Sequence, residues 1–191
     1  MRRPPLLASA WAAALSLAPL ASAQGLGDYS PVTSERLANP EPGNWLSTRR
    51  TLDGQAHSPL DQITPENVAD LKLAWSASTG PYQRLTTFAA VPADPAHEGP
   101  ALINDGVMFV STPDNQIVAY DAEDGTELWR YAHPLPPGLI PIHATNRGVA
   151  LYGDKVYFGT LDAHLVALDA RTGEKVWDRT LADWQQGFYI T

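Results

Sequence analysis

The stretch Ala119-Tyr120-Asp121-Ala122-Glu123-Asp124-Gly125-Thr126-Glu127-Leu128-Trp129 returns 48 residues later as Ala167-Leu168-Asp169-Ala170-Arg171-Thr172-Gly173-Glu174-Lys175-Val176-Trp177. Working outward from this pair, the same ungapped shift places Thr112 on Thr160, Asp114 on Asp162 and Val118 on Val166. Phe109 falls on Tyr157 and Ile117 on Leu165. Each repeat divides into four short strand candidates. In the first these are residues 101–103, 107–111, 117–121 and 127–131, with Asp105-Gly106 as a two-residue hairpin turn. In the second they are 148–151, 155–160, 165–169 and 175–179, with Gly153-Asp154 in the turn. A period in the forties made of four short strands is the pattern of propeller blades. The chain therefore reads as all-β, a partial β-propeller with repeats at about 101–131 and 148–180.

The recurring spacing has a physical reason. Gly125 and Gly173 can take the positive φ needed at the turn between the last two strands, and Asp121 and Asp169 can accept hydrogen bonds from that turn's backbone. Trp129 and Trp177 present large flat apolar surfaces, and the small Ala119 and Ala167 on the neighbouring strand leave space for an indole. Both tryptophans are expected to be buried. A calcium loop over Asp121–Gly125 lacks the alternating ligands and terminal Glu of an EF-hand, so the turn reading stands.

Of the 191 residues, 13 are basic and 21 acidic, a formal charge of −8, which is the wrong sign for binding nucleic acid through its phosphates. The absence of cysteine excludes disulfides, Cys-type zinc sites, thiol nucleophiles and c-type haem attachment within the chain. Arg2 and Arg3, the apolar run Leu6 to Leu20 and the end Ala21-Ser22-Ala23 make residues 1–23 a secretory signal peptide, with cleavage expected before Gln24. Export to the periplasm follows, and no later stretch is long and apolar enough to be a membrane span. Residues 24–43, rich in Pro, Gly, Ser and Asn, read as an extended arm. Thr64-Pro65-Glu66 signals a short helix over 64–71, followed by a strand at Leu71 to Trp75. Residues 80–100 read as a long loop. His57, His97, His133 and His164 show no metal-ligand spacing, so sequence assigns no metal site.

The string Ala-x-Asp-x-x-Thr-Gly-x-x-x-Trp, complete in the second repeat through Thr172, resembles the tryptophan-docking motif of quinoprotein dehydrogenases. Other stretches agree: Trp45, then Gly54-Gln55-Ala56-His57-Ser58-Pro59-Leu60, then Asn67-Val68 through Leu71-Lys72 to Trp75, together with His97-Glu98-Gly99-Pro100 and Thr145-Asn146-Arg147-Gly148. Residues 44–191 thus resemble the N-terminal blades of an eight-bladed quinoprotein propeller, in the branch of methanol and ethanol dehydrogenases. That resemblance implies pyrroloquinoline quinone (PQQ) as cofactor, a small-molecule primary alcohol as substrate, and a separate electron acceptor such as a cytochrome c. The match covers about three blades' worth of such a ring, so the chain resembles an N-terminal fragment, expected to fold poorly alone and to be inactive.

Carried over position by position, the resemblance implies that Glu98 and Arg147 surround the cofactor's carboxylates and that Thr191 hydrogen-bonds it. An arginine fork suits a carboxylate. Read without the resemblance, Glu98 is a solvated loop acid and Arg147 a surface ion pair. The family's catalytic aspartate and its Glu, Asn and Asp ligands to Ca²⁺ or a lanthanide lie in later blades, so no catalytic or metal residue is assigned in this chain. One departure concerns the family's vicinal Cys-Cys pair, whose places are taken here by Pro141-Ile142, followed by His143. The alternative function is a non-enzymatic propeller acting as a scaffold or assembly protein. Many such proteins are lipoproteins needing a cysteine, and a pure scaffold has no use for Asn146-Arg147-Gly148.

Overall fold

The computed structural model describes residues 29–80, 96–141 and 145–191. The expected signal peptide, the start of the expected arm, Ile142 and His143 lie outside them. After a helix α1 (Ser34–Ala38) and a 3-10 turn at Val68–Asp70 come β1 (Ala96–His97), β2 (Leu102–Asn104), β3 (Val107–Ser111), β4 (Gln116–Asp121) and β5 (Glu127–Ala132). They are followed by β6 (Thr145–Asn146), β7 (Ala150–Tyr152), β8 (Lys155–Gly159), β9 (His164–Asp169) and β10 (Lys175–Thr180), with a final 3-10 turn at Trp184–Gln186.

The two expected four-stranded units are present. Strands β2 to β5 form one antiparallel meander and β7 to β10 the other. The β2–β3 turn takes φ of 49° at Asp105 and 78° at Gly106, the doubly positive geometry that an Asp-Gly hairpin favours. The register also repeats. Ala119 faces Trp129 and Ala167 faces Trp177, and in each sheet pairing then skips one residue, Leu128 or Val176.

Alternation along the strands decides what fills the space between the sheets. Phe109, Ile117, Ala119 and Trp129 from the first sheet meet Val156, Phe158, Val166 and Leu168 from the second in one buried cluster. The opposite face of the first sheet carries Val110, Val118 and Tyr120. Residues of the 71–80 segment lie over it: the Trp75 and Tyr120 rings are 6.4 Å apart, and the Tyr120 hydroxyl donates to the Ser78 carbonyl.

Several expectations are corrected. The arm is not simply extended: Thr33 caps α1 by accepting from the Arg36 N–H, and Val32 pairs with Gly153 across to the second hairpin. Tyr29 and Val32 of the arm enter the core beside Leu46, which explains why this proline-rich stretch orders. At 64–71 only a turn and the 3-10 segment form. No residue of that segment is buried, so nothing offsets the cost of nucleating a longer helix. Leu71 to Trp75 is not a strand, because no neighbouring chain among the described residues offers it a ladder. Of the loop expected over 80–100, residues 81–95 lie outside the described residues, and Ala96–His97 form β1, which pairs in parallel with β6. The second sheet starts at Ala150, two residues later than the sequence suggests.

Trp129 is buried, but Trp177 is only half-buried, and the reason lies in how the motif works. The indole does not pack on the glycine of its own repeat. Trp75 lies on Gly125, where an added Cβ would stand 2.5 Å from its ring, and Trp129 lies on Gly173 at the same 2.5 Å. Trp75 Nε1 donates to the Ala122 carbonyl and Trp129 Nε1 to the Ala170 carbonyl, at 3.1 and 3.0 Å. Each tryptophan therefore docks on the turn of the following sheet. Among the described residues no such turn lies against Trp177.

Candidate functional site

The parallel pair β1–β6 sets the site. Ala96 faces Thr145 and His97 faces Asn146, so His97-Glu98-Gly99 and Asn146-Arg147-Gly148 run side by side. Asn146 anchors this pair to both sheets. Its Nδ2 donates to the Gly159 carbonyl at 2.9 Å and to Asn115 Oδ1 at 3.3 Å, while its Oδ1 accepts from the Gly148 N–H at 3.1 Å. Gly99 must be glycine, since a Cβ there would stand 2.8 Å from both Gly148 N and Ser111 Oγ. Gly148 holds φ of 120°, outside the range of residues bearing side chains.

From this platform the three sequence-expected residues converge. Arg147 Nε lies 3.2 Å from Glu98 Oε2, and Arg147 Nη1 donates to Thr191 Oγ1. Thr191 is brought there because the Ile190 N–H donates to the Thr160 carbonyl, and the Ile190 side chain covers Gly159, which has no room for a Cβ. About half of the Arg147 and Glu98 side-chain surface is exposed (51% and 46%). By itself their pair is thus a surface ion pair, contributing about 1 kcal/mol or less to stability. An arginine fork with a hydroxyl beside it and a carboxylate behind it is a receptor for an anionic oxygen group, and a polycarboxylate such as PQQ fits that donor set. No second acid joins Glu98 in a metal-binding group among the described residues.

A groove of about 360 Å³ lies nearby in sequence, lined by Leu139, Pro141, Leu161, Trp184, Phe188 and Tyr189 among others. None of the three converging residues lines it. It is mostly apolar, and Pro141 is buried in its wall.

Sequence reasoning missed two groups. Trp75 is a third docking tryptophan, hidden because the motif before it is absent. The second group is His133, Asp162 and His164, whose ligand atoms lie within 4.8 Å of one another. His133 Nε2 contacts both Asp162 oxygens at 3.1 and 3.0 Å, His164 Nε2 is 4.0 Å from Asp162 Oδ2, and His164 Nδ1 meets Asp178 Oδ1 at 2.6 Å. Burial acts to raise the Asp162 carboxyl. The hydrogen bonds from His133 and Thr160, with the charge of the imidazoles, outweigh it and hold the acid below the usual range. Local spacing could not reveal this group, because His133 and Asp162 are 29 residues apart.

Residues 45–179 match the PQQ family described as the glucose/ethanol/alcohol dehydrogenase β-propeller domain. A quinoprotein ethanol dehydrogenase from Pseudomonas putida is 38% identical over 93% of this chain and 26% of its own length. A 1-butanol dehydrogenase (quinone) from Thauera butanivorans is 40% identical over 95% and 27%. Among solved structures, a quinohemoprotein alcohol dehydrogenase from Pseudomonas putida HK5 superimposes with a TM-score of 0.68 at 39% identity, covering 86% of this chain and 23% of that one. A europium-containing methanol dehydrogenase gives 0.67 at 30% identity, covering 80% and 26%. The chain spans about a quarter of the length of the curated relatives it matches. With docking tryptophans stacked from sheet to sheet and Glu98, Arg147 and Thr191 gathered at the β1–β6 pair, the chain belongs to the PQQ-dependent alcohol dehydrogenase β-propeller family.

Proposed function

We propose that this chain supplies part of the cofactor wall of an exported, periplasmic PQQ-dependent alcohol dehydrogenase. The single observation that carries the reading is the convergence of Glu98, Arg147 and Thr191 at the β1–β6 pair. PQQ, when bound, supplies a quinone that accepts hydride from an alcohol. The chain's own residues bind and orient. The Arg147 fork takes a carboxylate, Glu98 fixes the guanidinium through Nε, and the Thr191 hydroxyl turns its proton toward the anion. The close contact of Gly99 with Gly148 leaves no room for a side chain on Gly99 between the two segments.

No residue of this chain matches the family's general base or its Ca²⁺ or lanthanide ligands, so the chain alone binds without turning over. The relatives' names share alcohols as substrates, ethanol and 1-butanol among them. A primary alcohol is the proposed substrate here, and a separate carrier such as a cytochrome c takes the electrons. The test is equilibrium dialysis of the chain against PQQ, followed by a dye-linked assay with ethanol and added Ca²⁺ or La³⁺. Saturable PQQ uptake without turnover is expected. Uptake no greater than that of an unrelated acidic protein contradicts the binding role, and metal-dependent turnover places a base within this chain.

A further inference from the structure

We propose that His133, Asp162 and His164 form a binding site for a divalent transition-metal ion, zinc by its ligand chemistry, that fastens the first four-stranded sheet to the second. His133 directly follows β5 of the first sheet, Asp162 sits in the β8–β9 turn, and His164 opens β9 of the second. Two imidazole nitrogens and one carboxylate oxygen are a donor set that zinc and its neighbours prefer over calcium or magnesium. The three donor atoms lie within 4.8 Å of one another. In a tetrahedral zinc site, bonds of about 2.0–2.1 Å set the ligands about 3.3 Å apart. Small side-chain rotations close the difference. His133 and Asp162 are buried, whereas His164 is partly exposed, which gives an ion a way in and leaves a coordination position for water.

The first repeat is an internal control. The 48-residue shift places Asp114 on Asp162, Gln116 on His164, Arg130 on Asp178 and His133 on Leu181. The backbone is the same in both: the His133 N–H donates to the Asn115 carbonyl and the Leu181 N–H to the Ala163 carbonyl. In the first repeat Asp114 accepts from Thr112 Oγ1 and Gln116 Nε2, and Arg130 Nη1 donates to Gln116 Oε1. That arrangement is an ordinary amide-bridged turn.

The second repeat changes the chemistry at the same points. A histidine replaces the amide, and a carboxylate replaces the guanidinium behind it. Asp178 Oδ1 holds His164 Nδ1 at 2.6 Å, while its other oxygen is held by Lys175 Nζ at 3.1 Å. A carboxylate on the far nitrogen is the outer partner that metal-bound histidines usually have, since it fixes the tautomer and turns Nε2 toward the ion. Here Nε2 is left on the side of Asp162 and His133. Thr180 Oγ1 is within 3.2 Å of it and can retreat to a water.

The test is titration of the chelator-treated chain with Co²⁺, read by ligand-field absorption, then displacement by Zn²⁺. No cysteine competes, so uptake reports imidazole and carboxylate ligands alone. One equivalent of Co²⁺ is expected. His164→Gln should weaken it at least about 100-fold, and Asp178→Asn about 10- to 100-fold, as loss of an outer-shell partner does. His57→Gln should leave it unchanged. Because His133→Ala removes a buried side chain and can fail to fold, the wild-type zinc complex is measured directly by X-ray absorption. Two imidazole shells at about 2.0–2.1 Å are expected. Absent Co²⁺ bands, a zinc shell with fewer than two imidazoles, or binding that survives His164→Gln would each overturn the proposal.

Discussion

Trp129 reaches across to Gly173 of the next sheet, where its ring occupies the space that a Cβ would need, and its Nε1 donates to Ala170 beside it. The motif is thus a joint between repeats. Gly173→Ala meets both a positive φ of 71° and the indole. Gly106→Ala meets a similar φ of 78° but open space. The expected losses are about 3 kcal/mol for the first and about 1–2 kcal/mol for the second. Urea melts of the two variants measure the difference. Equal losses would mean the indole is not seated on Gly173.

The tryptophans themselves should separate in the same way. Trp129→Ala removes a buried ring and is expected to cost about 3–5 kcal/mol. Trp177→Ala, at a half-buried ring, should cost clearly less. Denaturant midpoints compared at constant m-value decide it.

The repeat, its strands and its turns were legible in the sequence because period-2 alternation and Asp-Gly chemistry act locally. The partner of each tryptophan was not, since Ala119 opposite Trp129 and Gly125 nearby made packing within one repeat look sufficient. Only the stacking of sheets shows that Gly173 receives the ring. Arg147 and Glu98 were found through resemblance, and nothing local marks them. The arm misled in the other direction. Its composition signals extension, while Tyr29 and Val32 gain order only from the core they enter.

The arm should respond to pH at both extremes. The two-pronged hydrogen bond from Arg36, at 2.7 and 3.0 Å, with a further one from Asn44, lowers the Glu41 pKa to about 2. A depressed acid contributes stability that is present above its unfolded pKa of about 4.3. That contribution is lost as the pH falls toward 2. Glu41 is half-exposed, so the loss should stay below about 1 kcal/mol. Burial raises the Tyr29 pKa to about 12. Its contribution is complete below its unfolded pKa of about 10 and disappears as the pH rises through about 12. Tyr29→Phe should flatten only the alkaline loss, as read by thermal melts from pH 9 to 12.

Export provides an independent check on the leader. Expressed in a bacterium with a standard secretion pathway, the chain should be recovered from the periplasm beginning at Gln24. Mass spectrometry of the recovered product reads the cleavage site, and retention of Met1 or Arg2 would contradict it.

The most direct measurement of the central claim is PQQ affinity of Arg147→Ala and Arg147→Lys, taken on the same samples as their melting temperatures. A charge-assisted bond to a carboxylate contributes about 1.5–3 kcal/mol, somewhat less where solvent reaches it, so Arg147→Ala should weaken PQQ by about tenfold or more. Arg147→Lys should recover part of that, because an ammonium lacks the fork. Both variants should melt close to the wild type, since Arg147 touches no docking tryptophan. Unchanged PQQ affinity, or a melting loss as large as that of Trp129→Ala, would contradict the assignment of Arg147 to the cofactor.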